Sequence, residues 1–175
     1  IDVWRVDIKA FSDAAHEQLC HVSNASEVRM QAERALHVHG MHVECVTNVV
    51  PTVNDSDEEL DAIASWIATG LSEDTPWHVT RFQPYLEFAH LEPTPLETLN
   101  RARNAGNRAG LHHVYLGNVA VEEGEDTVCP SCGAVAVERR GYSVQATQLA
   151  FDGSCGQCGN HLNIHLDGCS GGTSG

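Results

Sequence analysis

The sequence predicts an α/β fold with a parallel sheet over residues 1–118, followed by a small β unit that carries four cysteines. Short apolar strands alternate with amphipathic helices in the order β-α-β-α-β-α-β, which is typical of parallel βαβ units. Two CxxC pairs then lie in a region without helical periodicity, where a compact metal-bound unit is expected. Hydrophobic residues make up 42% of the chain, which is enough to form a buried core.

The individual elements follow from local patterns of apolar and turn-forming residues. Strands are expected at residues 2–9, 42–50, 77–82 and 112–117, and helices near residues 12–20, 25–39, 56–71 and 94–110. Ser56 and Glu59 form a capping box before the third helix, and Thr94 is expected to cap the fourth. Four such strands suit either the second half of a larger barrel or an open α/β sheet. The sequence starts at Ile1, which already belongs to an expected strand, so we interpret the chain as the C-terminal part of a longer protein.

Charge and composition exclude several classes of partner. The 10 basic and 24 acidic residues give a net charge of −14, which argues against nucleic acid and against anionic lipid as partners. No stretch approaches the roughly 18 apolar residues that a membrane span requires. Seven cysteines without a secretory signal favour metal binding over disulfides, and a reducing cytoplasm is the expected compartment.

A second unit is predicted after Asn118, where the composition changes. Residues 119–127 are interpreted as an acidic linker, residues 128–168 as the four-cysteine unit and residues 169–175 as a flexible tail. A unit of this size has too little apolar core to fold alone, so a bound metal is expected to stabilise it.

The ligands predicted for that metal are the two CxxC pairs, which are separated by 22 residues: Cys129, Cys132, Cys155 and Cys158. Each pair precedes a glycine, and the segment between them alternates like a β-hairpin, so four thiolates can converge on one tetrahedral ion. Zinc is favoured, and iron in a rubredoxin-like site is the alternative metal. The resulting prediction is a structural metal site in a zinc-ribbon-like unit.

Other arrangements of the cysteines and histidines are weaker alternatives. A disulfide pair or a thioredoxin-type redox pair lacks the expected context, and a zinc finger using His161 and His165 would leave one CxxC pair unused. Cys20, Cys45 and Cys169 are isolated in the sequence, so they are expected to be small buried residues or free thiols.

Asp7 and Lys9 lie at the end of the first predicted strand, and Lys9 is the only lysine in the sequence. Residues two apart on a strand share one face, so the carboxylate and the ammonium should lie side by side. Polar residues at the carboxyl end of a strand point into the mouth of a βα barrel, where ligands bind. A surface ion pair where the strand meets solvent is the simpler alternative.

Six segments resemble one known family: VDIKAFSD, VVPTVNDSDEEL, PWHVTRFQP, PTPLETLNRARNAG, HHVYLGN and CPSCG…RRGY. In this order they resemble the C-terminal part of the radical S-adenosylmethionine (SAM) protein of the AmmeMemoRadiSam system, a relative of pyruvate formate-lyase activating enzymes. The resemblance extends from Val3 to about Gly159. It implies the C-terminal part of a partial TIM-type (βα) barrel whose mouth holds SAM.

The resemblance also implies roles for individual residues. Asp7 and Lys9 match the D-x-K at the end of a barrel strand that contacts SAM in this family. Gln83 occupies the position where activating-enzyme relatives place a histidine near SAM, which puts a proton-linked role there in doubt. The parent protein would reductively cleave SAM to a 5′-deoxyadenosyl radical and act on an unidentified substrate, for which a protein is one candidate.

One departure from the family is the absence of the CxxxCxxC motif, which binds a 4Fe-4S cluster in radical SAM enzymes. That motif is expected in a missing N-terminal part, so this chain alone is expected to be inactive. The alternative is a non-catalytic α/β module whose zinc ribbon docks a protein partner. A zinc hydrolase is a third reading, but the cysteine spacing offers no open metal position.

Overall fold

The structure is a computed structural model of the 175-residue chain, and it describes residues 2–119, 121, 124–164 and 166. The chain divides into two compact units, Ile1–Gly124 and Glu125–Gly175. The first unit contains a four-stranded parallel sheet with helices, and the second contains a three-stranded antiparallel sheet. The predicted α/β fold with a separate small four-cysteine β unit is therefore confirmed.

The first unit follows the predicted alternation of strands and helices. Its strands are β1 (Val3–Asp7), β2 (His42–Val49), β3 (Trp77–Arg81) and β4 (Val114–Gly117), and they neighbour one another in chain order. Its helices are α1 (Asp13–Cys20), α2 (Ala25–His37), α3 (Asp57–Trp66) and α4 (Leu96–Ala109). A π-helical turn, Ile67–Leu71, continues α3, and a 3-10 turn covers Leu86–Phe88.

The parallel register separates an apolar face of the sheet from a polar one. Val6 of β1 pairs with Cys45 of β2, which pairs with Trp77 of β3, and all three are buried in the main core. Leu60 of α3 and Leu99 of α4 belong to the same buried cluster, so these helices cover this face. Because side chains alternate along a strand, the intervening residues lie on the opposite face.

Two helix starts differ in detail from the sequence prediction. Ser56 caps α3 by accepting from the amide of Glu59, but the Glu59 carboxylate accepts from Phe11 and Ser12 instead of closing the box. Pro95, not Thr94, stands at the cap of α4. The Thr94 hydroxyl instead joins two strand ends, so the predicted cap was wrong because a tertiary contact uses that hydroxyl.

The second unit is a short antiparallel sheet with two cysteine-containing loops. Its strands are β5 (Thr127–Val128), β6 (Val135–Arg140) and β7 (Ser143–Ala146), and β6 and β7 form the expected hairpin. Gly141 has φ +60° at the turn between them, a conformation that glycine adopts without strain. The Asp126 carboxylate is buried and accepts from the Arg139 amide and the Arg140 guanidinium, both at 2.7 Å.

Within the part of the chain that the structure describes, no helix combines the length and the hydrophobicity needed to cross a bilayer.

Candidate functional site

The Asp7–Lys9 pair lies where β1 ends. The Lys9 Nζ is 3.2 Å from the Asp7 Oδ2, and the two side chains are 37% and 57% exposed, respectively. Ion pairs this exposed contribute between about 0 and 1 kcal/mol to stability, so folding does not require this one. A solvent-accessible carboxylate beside an ammonium can exchange its partner for a ligand that carries both charges.

Two side chains from the β2–α3 region hold the chain just after this pair. The Asn54 amide donates to the carbonyls of Lys9 at 2.6 Å and Asn48 at 3.0 Å, and it accepts from the Val50 amide at 2.6 Å. The Glu59 carboxylate accepts from the Phe11 amide and, at 2.9 Å, from the Ser12 amide. The backbone on the carboxyl side of Lys9 is therefore fixed by side chains from a distant part of the sequence.

A carboxylate flanked by two imidazoles lies further down the same sheet face. The Glu44 carboxylate is 3.5 Å from the Nε2 of His42 and 3.2 Å from the Nε2 of His78. These two hydrogen bonds hold the pKa of Glu44 well below its usual range, against the opposing effect of partial burial. The His78 ring also lies 5.2 Å from the Tyr115 ring on the neighbouring strand. The face that carries Asp7 is thus strongly polar.

Gln83 is exposed and follows β3 by two residues, with β2 lying between β3 and β1. Because the strands are parallel, their carboxyl ends meet at one edge of the sheet, and Gln83 belongs to the same edge as Lys9. The structure therefore brings Asp7 and Lys9 into contact and places Gln83 in a separate loop of that edge.

The second unit brings its four cysteines together. The four sulfurs, from Cys129, Cys132, Cys155 and Cys158, all lie within 4.8 Å of one another. The sulfurs of Cys129 and Cys158 are 3.6 Å apart, and those of Cys132 and Cys155 are 3.7 Å apart. Zinc–sulfur bonds of about 2.3 Å in a tetrahedron require sulfur separations of about 3.8 Å. The observed spacing fits a single tetrahedral ion and is too wide for a disulfide.

The backbone around these sulfurs favours the thiolate at one position. Amide hydrogens of Cys158 and Gln157 point at the Cys155 sulfur and lower the pKa of that thiol to about 7. The Ala134 amide favours the Cys132 thiolate, but desolvation and proton sharing with neighbouring sulfurs outweigh it and raise the Cys132 pKa to about 12. A cation bound among the four sulfurs would replace these shared protons.

The remaining cysteine and histidine candidates have other environments. Cys45 is buried in the main core, and burial raises the pKa of its thiol to about 12, while Cys20 is partly exposed. The Nδ1 of His161 accepts from the Asn163 amide. Cys169 and His165 lie outside the described residues. Among the described residues, the four-cysteine group is the one set of such side chains positioned to hold a metal.

Sequence reasoning did not find Asn54, Glu44 or Asp126. Asn54 lies between the second predicted strand and the third predicted helix, where an asparagine is typical of a turn and gives no sign of a long-range bridge. Glu44 alternates with apolar residues, and only the pairing of β2 with β3 reveals the cluster, because it brings His78 beside Glu44 and His42 of β2. Long-range pairing of this kind leaves no local signal in a single sequence.

The fold and the cysteines define an α/β protein with an appended four-cysteine unit, and the comparisons with known proteins bear on the fold. No protein-family model matches the chain. The chain is similar to the Uncharacterized protein MJ0808 of Methanocaldococcus jannaschii, with 34% identity over 167 residues. The match covers 95% of this chain and 49% of that protein, so the chain spans about half the length of this curated relative.

A solved structure shares the fold. The crystal structure of a domain of pyruvate-formate lyase-activating enzyme from Bacteroides vulgatus ATCC 8482 superposes with a TM-score of 0.55 at 14% sequence identity. The match covers 67% of this chain and 68% of that chain. At this identity the similarity establishes the fold alone.

Proposed function

We propose that the chain is the C-terminal part of a radical SAM protein of the AmmeMemoRadiSam type, in which Asp7 and Lys9 contact SAM. The observation that carries the proposal is the exposed Asp7–Lys9 pair at the carboxyl end of β1, in a sheet that shares the fold of an activating-enzyme domain. Ligands of βα proteins bind at this end of parallel strands. A partial TIM-type barrel, completed by segments beyond this chain, is part of the proposal.

The chemistry of the pair suits SAM. Asp7 can accept hydrogen bonds from an α-ammonium group or from ribose hydroxyls, and Lys9 can pair with the α-carboxylate. Asn48 and Thr80 lie on the same sheet face, in register with each other on β2 and β3, and offer further polar groups. These side chains would bind and orient the cofactor, and a 4Fe-4S cluster would supply the electron that cleaves SAM to a 5′-deoxyadenosyl radical.

The four cysteines of the second unit do not fit the role of the radical SAM cluster. They converge tightly enough for one ion, whereas the thiolates of a 4Fe-4S cluster bind different irons and must stand further apart. Four ligands around one ion also leave no position open for SAM. We therefore assign them a structural zinc, with iron as the alternative metal, and expect the ligands of the 4Fe-4S cluster in a part of the parent protein that this chain does not span.

The test uses the product of the complete reading frame that encodes this chain. After anaerobic iron–sulfur reconstitution, dithionite and SAM are added and 5′-deoxyadenosine is measured by chromatography. Lys9→Ala and Asp7→Asn should weaken SAM binding by about tenfold or more, because each removes a charge-assisted hydrogen bond. Arg5→Ala is the matched control, since Arg5 is a charged residue on the same face of β1, two residues before Asp7.

A second candidate is the docking module predicted from the sequence. Tyr142 and Phe151 in the second unit are fully exposed, and exposed aromatic side chains are enriched at protein interfaces. If the complete protein yields no 5′-deoxyadenosine and binds no SAM, while its metal is confined to the four cysteines, the docking module replaces the radical SAM proposal. Production of 5′-deoxyadenosine that persists unchanged in Lys9→Ala and Asp7→Asn would reject the roles of these two residues.

A further inference from the structure

We propose that Asn54 is a positioning residue that fixes the Asp7–Lys9 pair by holding the Lys9 carbonyl. Its side-chain Nδ2 donates to that carbonyl at 2.6 Å across 45 positions of sequence. The same nitrogen donates to the Asn48 carbonyl at 3.0 Å, so one amide group joins the ends of β1 and β2. The geometry stands without a ligand, while the statement that it prepares a cofactor site rests on the proposed function.

The hydrogen-bonding pattern requires an asparagine. The side chain is 0% exposed, so each of its polar atoms needs a partner within the protein. Its Oδ1 accepts from the Val50 amide at 2.6 Å, and its two N–H groups meet two carbonyls. An aspartate of the same shape would place a carboxylate oxygen against the carbonyls of Lys9 and Asn48, with no hydrogen to share. Only an amide satisfies all three partners at this position.

This bridge acts where the strand pairing ends. The Ile8 amide donates to the Val46 carbonyl at 2.8 Å, which fixes the residue between Asp7 and Lys9. The Asn54 bridge then fixes the peptide that follows Lys9, so the Lys9 backbone is held on both sides. A lysine side chain has four rotatable carbon bonds, so a fixed backbone is the main means of restricting where its ammonium reaches. Loss of the bridge should therefore separate Lys9 from Asp7.

A second bridge of the same kind provides the control. The Thr94 hydroxyl is also 0% exposed, donates to the Val49 carbonyl at 2.6 Å and accepts from the Phe82 amide at 2.8 Å. It therefore joins the ends of β2 and β3, as Asn54 joins those of β1 and β2. Because the Thr94 bridge does not involve Lys9, Thr94→Val removes a buried strand-end bridge and leaves the backbone next to the pair in place.

The experiment uses the fact that Lys9 is the only lysine in the sequence. Growth with ¹³C-lysine gives a single ε-methylene signal in a two-dimensional ¹H–¹³C spectrum of the chain. The shift that Asp7→Asn causes in this signal measures the contact between the two side chains. That shift is recorded in three backgrounds, namely the unchanged chain, Asn54→Asp and Thr94→Val, and amide spectra check that each variant is folded.

The proposal predicts that most of the Asp7-dependent shift is lost in Asn54→Asp and retained in Thr94→Val. If Asn54→Asp does not fold, Asn54→Ser replaces it, because a serine hydroxyl is too short to reach the Lys9 carbonyl. An Asp7-dependent shift that is equal in the Asn54 variant and the unchanged chain would overturn the positioning role. Equal losses in the Asn54 and Thr94 variants would overturn it too, since they would indicate general loosening.

Adding SAM to the complete protein then separates this inference from the proposed function. Suppose that the Asp7-dependent shift depends on Asn54, and that the protein binds SAM more weakly in Asn54→Asp but not in Thr94→Val. Both the positioning role of Asn54 and the proposed function then hold. If the shift depends on Asn54 but SAM does not bind even the unchanged protein, the proposed function fails and the positioning of Lys9 by Asn54 stands.

Discussion

The two units of this chain are held together by different forces. Among the residues that the structure describes, the first unit buries a cluster of 19, led by Trp77, Ile63 and Leu99, between its sheet and its helices. The buried cluster in the described part of the second unit has five residues, and two of these are the cysteines Cys129 and Cys155. Apolar burial on the scale of the first unit sustains an ordinary domain, whereas a cluster of five cannot offset the entropy of ordering some 40 residues. Metal binding should therefore be a condition of folding in the second unit alone.

The largest expected effect is the loss of the second unit on metal removal. Binding free energies of structural zinc are about 10–16 kcal/mol in zinc-finger peptides, and most of this is folding free energy. Chelation, or Cys155→Ser, should therefore abolish the dispersed amide signals of the second unit. All three tryptophans, Trp4, Trp66 and Trp77, belong to the first unit, so their fluorescence should not change.

Cys20→Ser is the matched control for Cys155→Ser, because Cys20 is a partly exposed cysteine of the first unit. It should retain one metal ion per chain, as measured by elemental analysis, which also distinguishes zinc from iron. Persistence of the amide signals of the second unit after complete chelation would contradict the proposed difference between the units.

The second expected effect concerns the other unit, because a cavity in the large core should destabilise only the first unit. Ile63 is 0% exposed, and replacing such a residue by alanine costs about 2–5 kcal/mol. Ile63→Ala should lower the urea midpoint seen by tryptophan fluorescence and leave the metal content of the second unit unchanged. Val3→Ala is the control, since Val3 is 53% exposed and should change stability by less than about 0.5 kcal/mol.

The same difference between the units explains which features the sequence could predict. Helices α3 and α4 and the strand between them, β3, carry periodic apolar residues, and local patterns of that kind define elements without knowledge of their partners. The spacing within the CxxC pairs also predicts that their sulfurs converge, and the four sulfurs lie together as expected. Where apolar residues recur periodically, or where metal ligands recur at a fixed spacing, a single sequence was sufficient to predict the element or the site.

The bridging polar residues could not be predicted because their partners are distant. Thr94 has the sequence context of a helix cap, yet its hydroxyl contacts Val49 and Phe82. Glu59 fits a capping box, yet its carboxylate contacts the backbone after β1. In both cases a local motif and a tertiary contact compete for one side chain, and the tertiary contact prevails because it satisfies backbone groups that are buried or partly buried.

A smaller effect follows from the protons on the cysteines. Thiols must lose their protons to bind zinc, and in an unfolded metal-free unit cysteine thiols have their ordinary pKa of about 8.5. Zinc affinity should therefore rise with pH below neutrality, by about tenfold per pH unit for each proton released. Calorimetry in buffers of different ionisation enthalpy measures those protons, and a pH-independent affinity between pH 6 and 8 would exclude thiol ligation.

The smallest effect concerns the polar face of the first unit. The His42 and His78 hydrogen bonds lower the pKa of Glu44, so its ionised form stabilises the fold. A lowered pKa in the folded state means that this contribution is complete above the ordinary glutamate value of about 4.3 and is lost as the pH falls below it. Glu44→Gln should cost roughly 1 kcal/mol at pH 7, and the difference from the unchanged chain should shrink toward pH 3.

Urea unfolding followed by tryptophan fluorescence measures this effect in the first unit without interference from metal loss in the second. Glu58→Gln is the control, because Glu58 is an exposed residue in the first turn of α3. If the cost of Glu44→Gln is the same at pH 7 and at pH 3, the glutamate acts by packing rather than by charge. The ionised form of Glu44 would then contribute nothing to the stability of the first unit.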